Sequence, residues 1–185
     1  MTDQSPSDTG LPGWFLALRR AVDFVTGALN VAGTLLIVAV MLLVNADVIG
    51  RGALDRPISG VPEMVSMSIV AIVFLQIAQA FRMGRLTRTE LLLGGLERLG
   101  PRFRQALEFL FSLAAIALVW QIIAASWPLF EKAWARGTYE GTIGDFIAPV
   151  WPVKLIILVG CTALLVQLAL HAVTALFRMV KGAQG

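Results

Sequence analysis

The chain has 185 residues, of which 57% are hydrophobic and 15% charged, with a mean hydropathy of +0.78; a soluble domain carries about 25% charged residues, so the composition reads as one integral membrane domain. One cysteine and one histidine exclude an internal disulfide, a cysteine-based metal cluster and a bis-histidine haem within the chain. The net charge is +3, but the basic residues lie between apolar runs, which is the signature of membrane topology and not of a nucleic-acid patch.

Residues 1–23 read as an N-terminal segment carrying Arg19 and Arg20. Four windows then lack Asp, Glu, Lys and Arg: Phe24–Ala46, Met64–Phe81, Phe109–Phe130 and Leu155–Phe177, of 23, 18, 22 and 23 residues. A helical span needs about 20 apolar residues, with roughly 17–25 tolerated. Backbone groups in lipid must be satisfied within the segment, so each window is expected to be helical. The runs are continuous and do not alternate with period two, which argues against a β-barrel. The expected fold is an all-α integral membrane protein. Its four transmembrane helices fall at about 24–46, 62–81, 103–135 and 153–177, inside a membrane domain covering 24–178.

The first window has a competing reading as a cleaved signal peptide, with "VNA" before Asp47 as the processing site. Its apolar length exceeds the roughly 7–15 residues of such a segment, and basic residues begin only at Arg19, so a retained span is expected.

Between the first two spans, Asn45, Asp47, Arg51, Asp55, Arg56 and Glu63 break the apolar pattern. If the first helix continues, Asp47 and Arg51 stand at i, i+4 and can pair. Pro57, Gly60 and Pro62 punctuate a tight return. Pro62 suits a first helical turn, and Glu63 complements the dipole there or reaches Arg51 or Arg56. Two readings stand: a solvated turn whose charges contribute about 0–1 kcal/mol, or a docking surface.

After the second span, Arg82, Arg85, Arg88, Arg98, Arg102 and Arg104 make a basic loop. Within it, Thr87 to Glu90 fits a capping box, and Leu92, Leu96 and Leu99 share a face. A short amphipathic helix over 88–99 is expected to lie on the membrane surface among lipid headgroups, with Arg82, Arg85, Arg88 and Arg98 at that interface. A plain connector helix is the alternative.

The third helix, from Pro101 to about Ala135, would be roughly 50 Å long and exceed the hydrocarbon core, with Pro128 as the expected kink. Trp120, Trp127 and Trp134 recur every seven residues on one face. That face reads either as lipid contact with an aromatic belt or as a stacking surface for a second membrane protein. In the fourth span, Cys161 is expected to pack as a small apolar side chain and His171 to be hydrogen-bonded. Residues 179–185 form a tail.

Ten basic residues fall on the side of both termini and the 82–108 loop, and five on the other. The positive-inside rule therefore puts the termini in the cytoplasm and the Asp47–Glu63 break outside. No phosphate-cradling loop and no H-E-x-x-H occurs, and no catalytic, cofactor-binding or metal-binding residue is assigned. The polar residues within the windows, including Gln76, Gln79, Ser112 and Gln167, can act as interhelical glue. Carriers of ions or acids usually hold a charge deep in the membrane, and none lies in the middle of these four windows.

"NADVIGR" closing the first span and "RPISGVPE" opening the second resemble the small membrane subunit of tripartite ATP-independent periplasmic (TRAP) transporters, the DctQ-like family. Asn45, Val48 and Arg51 match an N-x-x-V-x-x-R pattern, and Pro57, Ile58, Gly60 and Glu63 match P-I-x-G-x-x-E. "FRMGRLTRTELLL" is similar to the family's basic loop, and "APVWPVKLIILVG" to its approach to span four.

The resemblance implies a non-catalytic scaffold subunit of a secondary-active symporter in the bacterial inner membrane. Its partners would be a large membrane subunit that moves the cargo and a periplasmic substrate-binding protein that delivers a carboxylate-bearing solute. Asn45, Asp47, Arg51, Arg56, Glu63, Trp120, Trp127 and Trp134 would then serve the subunit interface or the outer turn. Two rival classes are a small homo-oligomeric transporter acting alone and the membrane anchor of an enzyme complex.

Overall fold

The computed structural model describes residues 13–53, 55–83, 101–140 and 147–181. The helix expected over 88–99, and with it Arg85, Arg88 and Arg98, lies outside them. Four helices are long and apolar enough to cross a membrane, as an all-α membrane protein requires.

Helix α1 runs Gly13–Ala53, 41 residues without an internal proline and about 60 Å long. It passes both ends of the charge-free window. Asn45 does not stop it, because its side-chain amide donates to the Met41 carbonyl one turn back, at 2.7 Å. The chain reverses where Asp55 adopts φ 48 and Gly60 adopts φ 79. Left-handed backbone favours glycine at Gly60, which directly precedes α2, Val61–Arg82. Pro62 occupies the first turn of α2 and Glu63 lies beside it.

Helix α3 spans Pro101–Arg136, with Pro128 inside it and not ending it. Gly137, at φ 56, ends α3 in the left-handed conformation common one residue past a helix. A short antiparallel ladder follows that was not expected from the apolar pattern. Strand β1, Tyr139–Glu140, pairs with β2, Ala148–Pro149, with Tyr139 opposite Pro149. The Val150 N–H donates to the Thr138 carbonyl at 3.1 Å and closes this hairpin onto the start of α4, Trp151–Lys181.

Helix α4 is the hub. It packs along α3 on one side and α2 on the other, while α1 packs along α2 and touches α4 only briefly. The buried centre comprises Ala78 of α2, Val119 of α3, and Cys161, Leu164 and Leu168 of α4, with Phe74, Ile116 and Ile123 packed around it. Gly160 makes the α2–α4 approach possible: a Cβ there would collide with the Phe74 carbonyl oxygen and lie 2.7 Å from its carbon. Gly33 does the same for α1 and α2, with a Cβ only 2.8 Å from Gln76 Cγ. Small residues at such crossings let backbones approach where no hydrophobic force between helices exists. The bundle has a turn end, bearing the α1–α2 turn and the hairpin, and an opposite end, where α2 finishes at Arg82.

Candidate functional site

At the turn end, Asp47 organises the reversal. It stands just past the last uncharged residue of the first window, yet is only 7% exposed. One carboxylate oxygen accepts the Ile58 N–H at 2.8 Å, eleven residues on; the other accepts from Arg51 Nη2, also at 2.8 Å. The Arg56 N–H donates to the Gly50 carbonyl at 3.0 Å. The carboxyl of Asp47 is held below the usual carboxylate range, first by the Ile58 N–H, with partial burial opposing and Arg51 assisting. The pair expected from i, i+4 spacing is therefore formed. The alternative contacts of Glu63 are not: among the described residues, Arg51 pairs with Asp47, and Glu63 makes no ion pair with Arg51 or Arg56. Glu63 remains at the start of α2, where its charge faces the helix dipole. The side chain of Arg51 is 64% exposed, so the pair adds little by attraction alone. The carboxylate matters because it satisfies a backbone donor that the turn leaves without a helical partner.

At the opposite end a second polar group fastens three helices. Asp23 of α1 accepts from Arg82 Nε of α2 at 3.1 Å and from Gln167 Nε2 of α4 at 3.1 Å. Gln167 also donates to the fully buried Thr26 hydroxyl at 3.3 Å. Thr26 in turn donates to the carbonyls of Val22 and Asp23. The buried Gln79 accepts from Arg82 at 3.5 Å. These bonds tie α1 to α4. On the same side of the bundle, Ser112 of α3 faces His171 Nδ1 of α4 at 3.4 Å, and the His171 ring meets the edge of Phe81 with centroids 5.7 Å apart.

Among the described residues, no group of three or more His, Cys, Asp or Glu could hold a metal ion. The geometry therefore consists of a buried carboxylate shaping a turn, a polar clasp at the far end, and long apolar faces between them.

The sequence matches the family of tripartite ATP-independent periplasmic transporters, DctQ component, over residues 40–182, more than half of the chain. The chain belongs to the DctQ family. It is the small membrane component of a TRAP transporter, a transmembrane protein of a transport system. No match was found among curated proteins or among solved structures.

The motif positions of this DctQ chain fall into distinct roles. Asn45, Asp47 and Arg51 lie on the last turns of α1, where Asn45 bonds, among the described residues, only within its helix. Arg56 contributes its backbone N–H to the turn, and its side chain is exposed. Arg82 belongs to the clasp. Trp120, Trp127 and Trp134 are 63%, 60% and 63% exposed, so the bundle leaves most of each ring uncovered, with Trp127 bordering the gap between α3, α4 and α1. Among the described residues, Trp134 alone of the three has an aromatic neighbour on another helix, the Trp151 ring at 5.0 Å in an edge-on arrangement.

The clasp was missed by sequence reasoning. Gln79 and Gln167 stood out as amides within apolar windows, but Asp23 lies one residue before the first window and Arg82 one after the second. Opposite charges flanking two antiparallel spans at the same end were the available signal.

Proposed function

We propose that this DctQ protein is a non-catalytic scaffold that braces the large membrane subunit during ion-gradient-driven uptake of a carboxylate-bearing solute. A periplasmic binding protein delivers that solute. The observation that carries the reading is the bare outer face of α1: 6% of its apolar window is buried within the chain, against 39% for α4. Leu35, Leu42 and Ile49 are 64%, 61% and 63% exposed along it. A helix about 60 Å long, held along one side by α2 and bare on its outer side, suits a strut laid against a larger membrane body. The middles of all four charge-free windows offer no charge for cargo.

In this reading the protein sits in the bacterial inner membrane with both termini and the basic 82–108 loop in the cytoplasm. The Asp47 turn faces the periplasm, where Arg51, Arg56 and Glu63 are available to the partners. The Trp stripe of α3 supplies a second apolar face. A photo-reactive residue at Leu35 or Leu42 tests this in the co-expressed transporter. Crosslinks from α1 to the large subunit are expected; crosslinks to lipid alone at both positions would remove the strut assignment.

A further inference from the structure

Between α1, α3 and α4 the bundle leaves an apolar groove of about 590 Å³. Val25 and Leu29 of α1 line one wall, Trp127 and Phe130 of α3 the other, and Leu155, Val159 and Val166 of α4 the floor. Two features of the bundle cause it. The clasp at Asp23, Thr26 and Gln167 holds α1 to α4 at one end, and toward the turn end α1 follows α2 instead.

The dimensions and the rim indicate the occupant. From Leu155 to Val166 the floor rises about 17 Å along α4, close to the roughly 15 Å depth of one hydrocarbon leaflet. At the end nearer the turns stands Lys154, next to Leu155 in the chain. Its Nζ donates to the Leu129 carbonyl at 3.2 Å, which places the ammonium against the stretch of α3 that carries Trp127 and Phe130. Among the described residues Lys154 has no carboxylate partner. An ammonium beside an apolar groove, one residue from its floor, with an indole of the interfacial type on the facing wall, is complementary to a phosphate held above an acyl chain.

We infer that this groove is a binding site for a single anionic phospholipid, one acyl chain lying along Leu155, Val159 and Val166 and the phosphate meeting Lys154. The site is formed by this chain alone and does not depend on the scaffold reading. Bound lipid would fill the gap between α1 and α4 and fix the splay of α1. A helix of the partner subunit is the competing occupant; it would satisfy the apolar walls but leave the ammonium without an anion.

The test is native mass spectrometry of the full chain in mild detergent, titrated with phosphatidylglycerol and with phosphatidylcholine of the same chains. One phosphatidylglycerol is expected to remain bound, at about fivefold lower concentration than phosphatidylcholine, the weight of one lysine against an anionic headgroup. Lys154→Gln is expected to erase that preference while leaving chain binding. Val159→Trp is expected to displace both lipids; Val159 is 42% exposed, so the larger ring is accommodated without disturbing the core. Thr162→Trp, at another exposed groove position, serves as the second filling variant. Equal affinity for the two lipids in the wild type, or lipid retention unchanged in both filling variants, overturns the inference. So does a photo-reactive residue at Val159 that captures the large subunit and no lipid in the assembled transporter.

Discussion

Gly160→Ala turns the close α2–α4 crossing into a measurable sign. The added methyl would overlap the Phe74 carbonyl oxygen and stand 2.7 Å from its carbon and 3.0 Å from its Cβ. Ordinary carbon contacts lie at about 3.5–4.0 Å, so α2 and α4 must separate by about 1 Å. Two of these three atoms are backbone, and no rotamer change relieves them. The separation loosens Ala78, Cys161 and Leu164, which occupy the buried centre beside this crossing. Overpacking of this kind costs about 1–3 kcal/mol. Helix propensity acts the other way, since Ala is about 1 kcal/mol better than Gly inside a helix. The net expectation is a loss of up to about 2 kcal/mol, and a deficit of about 1–3 kcal/mol against a glycine where the added methyl meets nothing. At roughly 2–4 °C per kcal/mol for a chain of this size, Tm falls by up to about 8 °C. Gly27→Ala is the control, because nothing lies within 4 Å of a Cβ there; propensity alone should raise its Tm. Thermal unfolding in mild detergent, followed by size exclusion, reads both. If Gly160→Ala is as stable as Gly27→Ala, the close crossing of α2 and α4 is wrong.

Asp23→Ala should destabilise the isolated chain more than Arg82→Ala, because Asp23 serves both Arg82 and Gln167. The Arg82 side chain is 40% exposed, so its pair contributes below about 1 kcal/mol, and a double-mutant cycle on Tm measures the coupling. Asp47→Ala should speed amide hydrogen exchange at Ile58 relative to Arg51→Ala, since only the first removes the acceptor of that N–H. The carboxyl of Asp47 has a depressed pKa, so its support of the turn is complete above the ordinary carboxylate pKa of about 3.9 and fades only as pH falls through the lowered value. Exchange at Ile58 that accelerates already between pH 6 and 5, and does so only with Asp47 present, contradicts that assignment. Trp134→Ala should lower the Tm of the isolated chain by removing an edge-on pair with Trp151 worth about 0.5–1.5 kcal/mol, whereas Trp120→Ala should leave it unchanged and act only on co-purification with the large subunit. In the scaffold reading, Arg51→Ala and Glu63→Ala reduce assembly or uptake, and wild-type co-purification and uptake for both variants would withdraw those two residues from it.

The four helices were legible because charges are costly in hydrocarbon, and the charge-free windows mark where they are avoided. The Asp47–Arg51 pair was legible because helical spacing fixes which residues meet. The second acceptor role of Asp47 was not, since the Ile58 N–H reaches it only after the chain reverses through Asp55 and Gly60. The clasp escaped for a related reason: Asp23, Arg82 and Gln167 are far apart in sequence and meet only once α1, α2 and α4 are packed. Helical windows also gave no hint of the two-residue strands flanking the α3–α4 connection, which are too short to show an alternating pattern. Gly160 lay unremarked among seventeen glycines, because a close crossing is a property of two helices and not of one segment.

The central claim is that this DctQ chain supports transport without carrying cargo. Uptake into vesicles tests it most directly, with an ion gradient, the binding protein and its solute supplied. Vesicles holding this chain alone should accumulate nothing above protein-free controls, and adding the large subunit should restore uptake. Accumulation with this chain as the sole membrane protein would contradict the account.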